Sequence, residues 1–203
     1  EAGTGFLGLL GRPAVLGYLA VSFSAFYVFS SVFNYLPFYL SGPPFEASTR
    51  RITAMYLSYV FGIAAAPVAG RLCNRIGNGK TMAAGAVIFL LAIGASFLPW
   101  LPAVAASLAG VCTGFFAIHT AAIGGLNRRL KEAKGRANAL YVLSYYLGGA
   151  VGVSVSGYAY RQFQWSGVAV SGALLLAVPL LVGAAESRPA PAVRERPREP
   201  APR

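Results

Sequence analysis

The 203-residue chain carries one histidine (His119), two cysteines (Cys73 and Cys112), six glutamates and no aspartate. Aspartyl chemistry is therefore excluded, and one imidazole with two isolated thiols falls short of a dinuclear metal site. We expect no cofactor and no bound metal. A serine activated by His119 is permitted by composition, but no nucleophile elbow accompanies it. What remains are groups that bind: Tyr27, Asn34, Tyr56, His119 and Tyr145, all set within apolar surroundings. His119 either titrates near neutral pH and meets a ligand, or sits neutral against a neighbouring helix. Asn34 reads equally as a helix-to-helix bond or a substrate contact. Tyr145 and Tyr146 are adjacent and point to different faces, so at most one reaches a cavity.

The elements that must position these groups follow from composition. Hydrophobic residues make up 56% of the chain, charged residues 11%, and mean hydropathy is +0.59. That is the profile of a polytopic membrane protein. Apolar runs long enough to cross a hydrocarbon core of roughly 30 Å occur at about 14–36, 52–72, 81–98, 102–124, 139–160 and 167–185. They lack the ten-residue alternation of barrel strands, so the fold class is all-α, with six transmembrane helices. Short connections leave no extramembrane domain. NRRLKEAKGRA is either a helix along the interface or a plain loop. Residues 186–203, rich in proline and arginine, are expected to be disordered.

A net charge of +11 suggests nucleic acid in a soluble protein, but the placement of the charges argues otherwise. Fourteen of the seventeen Lys and Arg residues fall in alternate segments: Arg12; Arg71, Arg75 and Lys80; the run from Arg128 to Arg136; and the tail from Arg188. Only Arg50, Arg51 and Arg161 lie in the others. This asymmetry places both ends of the segment in the cytoplasm and the cationic collar against anionic lipid headgroups, with no nucleic-acid partner. The sequence opens at Glu1 without a methionine or a basic, cleavable n-region, so we expect no signal peptide in it and a natural protein that begins upstream.

All six glutamates lie outside the apolar runs. Hydroxyl, amide and phenol groups crowd spans one, two, four and five, whereas three and six are nearly bare. Unpartnered polar groups facing lipid cost several kcal/mol, on the order of 2–7 each, so the four polar spans should enclose a protein interior or an aqueous cavity, and three and six should face lipid. Small residues repeat every four positions as Gly62, Ala66, Gly70; Ala106, Gly110, Gly114; and Gly148, Gly152, Ser156. Each strip should let another backbone approach.

GRLCNRIGNGK, residues 70–80, resembles the cytoplasmic loop motif of the major facilitator superfamily, G-x-x-x-D-R-x-G-R-R/K, on Gly70, Arg75, Gly77 and Lys80. FNYLPFYLSGPPFEAS and AKGRANALYVLSYYLGGAVG are similar to segments of bacterial inner-membrane drug:proton antiporters and arabinose-efflux-like permeases. The resemblance implies a C-terminal six-helix half with a 3+3 inverted repeat, residues 1–13 ending a central linker, and a missing N-terminal half as partner. It also implies proton-coupled efflux of a small amphipathic or sugar-like solute by alternating access, with the first, second, fourth and fifth spans lining the cavity. Asn74 stands where the motif has aspartate, which implies a weakened cytoplasmic latch because charge-assisted bonds are about twice as strong as neutral ones. The other readings are a half-transporter working as a homodimer, a channel, or an intramembrane enzyme.

Overall fold

The computed structural model describes residues 5–187, which form helices and no strands. Most of the predicted tail, residues 188–203, lies outside them, as do residues 1–4. A short helix, α1 (Phe6–Leu10), occupies the predicted linker and buries Leu9. It is followed by α2 (Pro13–Ser41), which starts on a proline whose missing N–H costs nothing at a helix N-terminus. Next, α3 (Thr49–Met55) passes through one 3-10 turn (Tyr56–Ser58) into α4 (Tyr59–Ile76). Then come α5 (Asn78–Ala95), α6 (Leu101–Arg129) and α7 (Lys134–Glu186). Five stretches are long and apolar enough to cross a membrane, and the last of them contains 53 residues. The chain is an all-α polytopic membrane protein.

Spans five and six are joined differently from the sequence reading. The predicted connection RQFQWS is helical except at Gln164, whose φ of 53° and ψ of −143° reverse the chain within α7. Neighbours along α2 show the reversal. Tyr141 lies beside Ser22 and Tyr160 beside Tyr35, whereas beyond the break Gly172 meets Val28 and Val182 meets Gly17. Both arms of α7 therefore run along α2. Trp165, immediately after the break, stacks on Tyr39 at 4.4 Å and donates its indole N–H to Ser96 Oγ at 2.8 Å.

Residues 70–80 also differ from expectation. α4 continues to Ile76 and α5 begins at Asn78, so the supposed loop is helix on both sides of Gly77 alone. Gly77 turns the corner with φ of 91°, a conformation that glycine adopts freely because it lacks a Cβ. In NRRLKEAKGRA, α6 ends at Arg129, residues 130–133 form the connection, and α7 starts at Lys134.

α2 packs along α7, α5 along α6 and along the second arm of α7, and α4 along α6. Of the small-residue strips, that on α7 is used throughout, and that on α6 at Gly110 and Gly114 while Ala106 is exposed. A Cβ on Gly114 would stand 2.6 Å from the Gly85 carbonyl oxygen, and one on Gly152 would stand 2.5 Å from that of Tyr27. On α4 only Gly62 is tight, against Phe116, whereas Gly70 has no neighbour within 4 Å of a Cβ.

The hydroxyls of spans one and five form a zipper between α2 and α7. Ser22 donates to the Tyr141 carbonyl (2.8 Å), Ser30 to that of Gly149 (3.1 Å), Ser144 to that of Leu19 (2.8 Å) and Tyr35 to that of Val153 (2.8 Å). Ser156 donates to Ser31 Oγ at 2.8 Å. This answers the choice between interior and cavity for these groups, because an embedded hydroxyl takes the carbonyl of the nearest helix. The bare third and sixth spans each have one buried face, with Phe89 and Leu176 fully enclosed. It is α4 that is least covered, presenting Val60, Phe61, Ile63 and Val68 outward, since it packs mainly on one neighbour.

Candidate functional site

Phe26, Phe29 and Phe33 recur at i, i+3 and i+7 on α2, which places them on one helix face. Around them the neighbouring helices contribute a continuous aromatic cluster, in which Phe29, Phe33 and Phe115 are buried and Tyr56, Tyr59, His119 and Tyr145 border its exposed side. Tyr59 lies 4.7 Å from Phe33, and Tyr56 lies 5.7 Å from it while donating its hydroxyl to the Phe33 carbonyl at 3.0 Å. Phe115 of α6 stacks on Phe29 at 4.1 Å, and Tyr145 of α7 stacks on Phe26 at 3.7 Å. His119, one turn beyond Phe115, lies 5.5 Å from the Tyr145 ring, and its Nδ1 is 3.2 Å from the Tyr141 hydroxyl. When that hydroxyl donates, the imidazole is neutral at Nδ1 and keeps one ring nitrogen for another partner.

Of the predicted cavity residues, Tyr56, His119 and Tyr145 are thus brought onto one surface. Tyr146 is 64% exposed, yet its ring meets Tyr145 edge-on at 5.2 Å and Phe26 at 6.2 Å, so both adjacent tyrosines border the cluster. Tyr27 and Asn34 do not join them. The Tyr27 ring lies 6.5 Å from that of Phe23, which is not part of the cluster. Asn34 follows Phe33 by one residue and so sits about 100° round the helix. Its side chain is exposed and donates back to the Ser30 carbonyl at 2.8 Å, so among the described residues it makes no helix-to-helix bond. The phenylalanines Phe26, Phe29, Phe33 and Phe115 escaped the sequence reading because it counted polar groups; the 26/29/33 spacing was the available signal.

A second polar cluster gathers where α5 begins and α6 and α7 end. Arg128 donates to Asn78 Oδ1, and Arg129 pairs with Glu186 at 2.5 Å. Hydrogen bonding to the Glu186 carboxylate raises the Arg129 pKa above its ordinary value. Asn74, Arg75, Gly77 and Lys80 are exposed and Gly70 is partly buried, so Asn74 is not held by a neighbouring helix among the described residues. Counted from Gly70, the two basic positions of the motif fall on Asn78 and Gly79, and Lys80 stands one residue beyond them. Among the described residues the polar ties at this end therefore run through Asn78, Glu186 and the Asn127–Asn138 pair and not through Asn74.

Residues 43–203 match the family model of the Major Facilitator Superfamily. The chain is 32% identical to "Inner membrane transport protein YnfM" of Escherichia coli (strain K12), over 76% of this chain and 37% of that relative. It is 29% identical to "Uncharacterized MFS-type transporter YybF" of Bacillus subtilis (strain 168), over 68% of this chain and 34% of that one. A "Probable transporter SCO4007" of Streptomyces coelicolor is 32% identical over 58% of the chain and 28% of its own length. The chain thus spans between 28% and 37% of the length of these relatives, each of which is named as a transporter. With its apolar helices, short connections and this family match, the chain belongs to the Major Facilitator Superfamily.

Proposed function

We propose that this chain is one six-helix half of a secondary active transporter of the bacterial inner membrane. It exports a small amphipathic or sugar-like solute, of the kind handled by drug:proton antiporters, in exchange for protons. A second six-helix half covers its outward faces, and the two rock about the aromatic surface by alternating access. The observation that carries this reading is the unbroken run of rings from Tyr56 through Phe33, Phe29 and Phe115 to His119 and Tyr145, built from four helical segments. No charged side chain belongs to this run, which suits neutral or variable solutes held by stacking and a few hydrogen bonds. His119 supplies the one imidazole that could carry a proton there.

In this reading both ends of the segment lie in the cytoplasm. Support comes from Lys80, Arg128, Arg129 and Glu186, which converge at one end of the bundle, the end carrying the excess of basic residues. The test is solute efflux from proteoliposomes containing the intact protein, under imposed pH gradients. Tyr145→Ala removes an aromatic contact worth about 0.5–1.5 kcal/mol and should weaken apparent affinity by about 2- to 12-fold. His119→Ala should flatten the dependence on the gradient. Flux indifferent to the pH gradient in the parent would sink proton coupling, and unchanged affinity in Tyr145→Ala would sink the aromatic site.

A further inference from the structure

Tyr141 lies on the first arm of α7 at 1% exposure, where Ser22 of α2 holds its carbonyl at 2.8 Å. Its ring meets the His119 imidazole of α6 at 5.4 Å and 60°, with the hydroxyl 3.2 Å from Nδ1. Among the described residues that nitrogen is the one hydrogen-bond partner of the hydroxyl. Either group of such a pair can hold the shared proton, and burial decides between them. If Nδ1 carried it, the phenol oxygen would accept and the phenol's own proton would be left without an acceptor at an enclosed site, at the full desolvation cost of a buried donor. Tyr141 therefore donates, Nδ1 accepts, and the neutral ring carries its hydrogen on Nε2.

Nε2 is the end left over. It has no hydrogen-bond partner among the described residues, yet it is not one of their enclosed unpartnered atoms, which are Tyr18 Oη and Asn78 Nδ2. A molecule outside can therefore reach it. The half-buried imidazole lies 5.9 Å from the Phe115 ring and 5.5 Å from that of Tyr145. A solute resting against those rings meets an N–H there and not a lone pair. We propose that, within the aromatic solute site on which this role rests, Tyr141 is a positioning residue that fixes His119 as an Nε2–H donor. The site then prefers solutes that carry an acceptor oxygen beside an apolar body, such as ketones and ethers, over isosteres without that oxygen.

The test has two arms, both on the intact protein in a lipid membrane. The first is nitrogen NMR with isotope-labelled histidine at mildly alkaline pH, the His119 signals being those that His119→Gln removes. Nε2 should be protonated, and Nδ1 should be unprotonated and hydrogen-bonded. In Tyr141→Phe, which keeps the ring, Nδ1 should move to the shift of an unbonded nitrogen. A proton on Nδ1 of the parent, which needs no variant to detect, overturns the positioning role, as does an unmoved Nδ1 in Tyr141→Phe. The second arm is fluorescence binding of a dimethylaminonaphthyl ethyl ketone and of the propyl analogue that lacks its oxygen, each corrected for partitioning into protein-free membrane. The parent should bind the ketone about 2- to 12-fold more tightly, the worth of one hydrogen bond. That preference should fall toward parity in Tyr141→Phe while affinity for the propyl analogue holds, which a general loss of structure would not produce. Equal binding of the two probes by the parent overturns the selection for an acceptor. Binding of neither, or binding that Tyr145→Ala leaves unchanged, overturns the aromatic site and the selection with it, whereas the tautomer stands or falls on the spectrum alone.

Discussion

Gly152 and Gly70 belong to strips of identical spacing, and alanine at the two positions should act in opposite directions. At Gly152 the new Cβ would lie 2.5 Å from the Tyr27 carbonyl oxygen, 2.8 Å from Tyr27 Cα and 3.0 Å from Ser30 Oγ, against an ordinary contact of 3.4 Å or more. The shortfall falls on backbone atoms, so α2 and α7 must separate by a substantial fraction of an ångström along their zipper of hydroxyl bonds. Overpacking of this kind costs about 1–3 kcal/mol, and here it also stretches the Ser30–Gly149 bond of 3.1 Å. Alanine returns up to about 1 kcal/mol of helix propensity, leaving a net loss of about 1–2 kcal/mol. At Gly70 a Cβ meets nothing within 4 Å, so only the propensity gain remains. Melting of the intact protein by tryptophan fluorescence should fall by about 2–4 °C per kcal/mol for Gly152→Ala and rise slightly for Gly70→Ala. If Gly152→Ala melted at or above the parent, the close approach of α2 and α7 would be refuted.

Trp165→Phe retains an aromatic ring against Tyr39 but strips Ser96 of its indole donor; a loss of about 1–2 kcal/mol is expected, and the remaining emission of exposed Trp100 should respond to soluble quenchers that leave Trp165 untouched. Gln164→Gly should raise the melting temperature, because φ of 53° with ψ of −143° costs a side-chain-bearing residue about 1–3 kcal/mol. Arg129→Gln should cost less than about 1 kcal/mol, since the Arg129 side chain of the pair is 49% exposed, and the difference from the parent should shrink in high salt. Asn74→Asp should leave melting within about 0.5 kcal/mol of the parent, and a larger shift would restore the latch that the exposure of Asn74 argues against.

The helical, membrane-spanning character of the fold was legible because an apolar run of some twenty residues has few other solutions. The junction at Gln164 was not, because a charged, polar hexapeptide between two such runs reads as a loop, and only the backbone shows the helix continuing to its edge. The strips illustrate a related limit: spacing reveals where a backbone could approach, whereas Gly152 and Gly70 differ only in whether one does. For the candidate site, residue type was a poorer guide than angle. Asn34 is the most polar amide of its span, yet it is turned about 100° from Phe33, whose ring builds the surface. The gating motif was matched by its basic residues, but the side chain that makes contact, Asn78, occupies a position where the motif carries charge.

The corner at Gln164 leaves its two arms no slack. A connecting loop would absorb a tilt of one arm without disturbing the other, but here Gln164 is the only residue off helical geometry, and Trp165 pins it to Tyr39 and Ser96. The arm bearing Tyr145 and the arm ending at Glu186 should therefore swing as a single lever about that pin. A reporter peptide spliced in at residue 164 would uncouple them, whereas one placed in residues 130–133 would leave the lever intact.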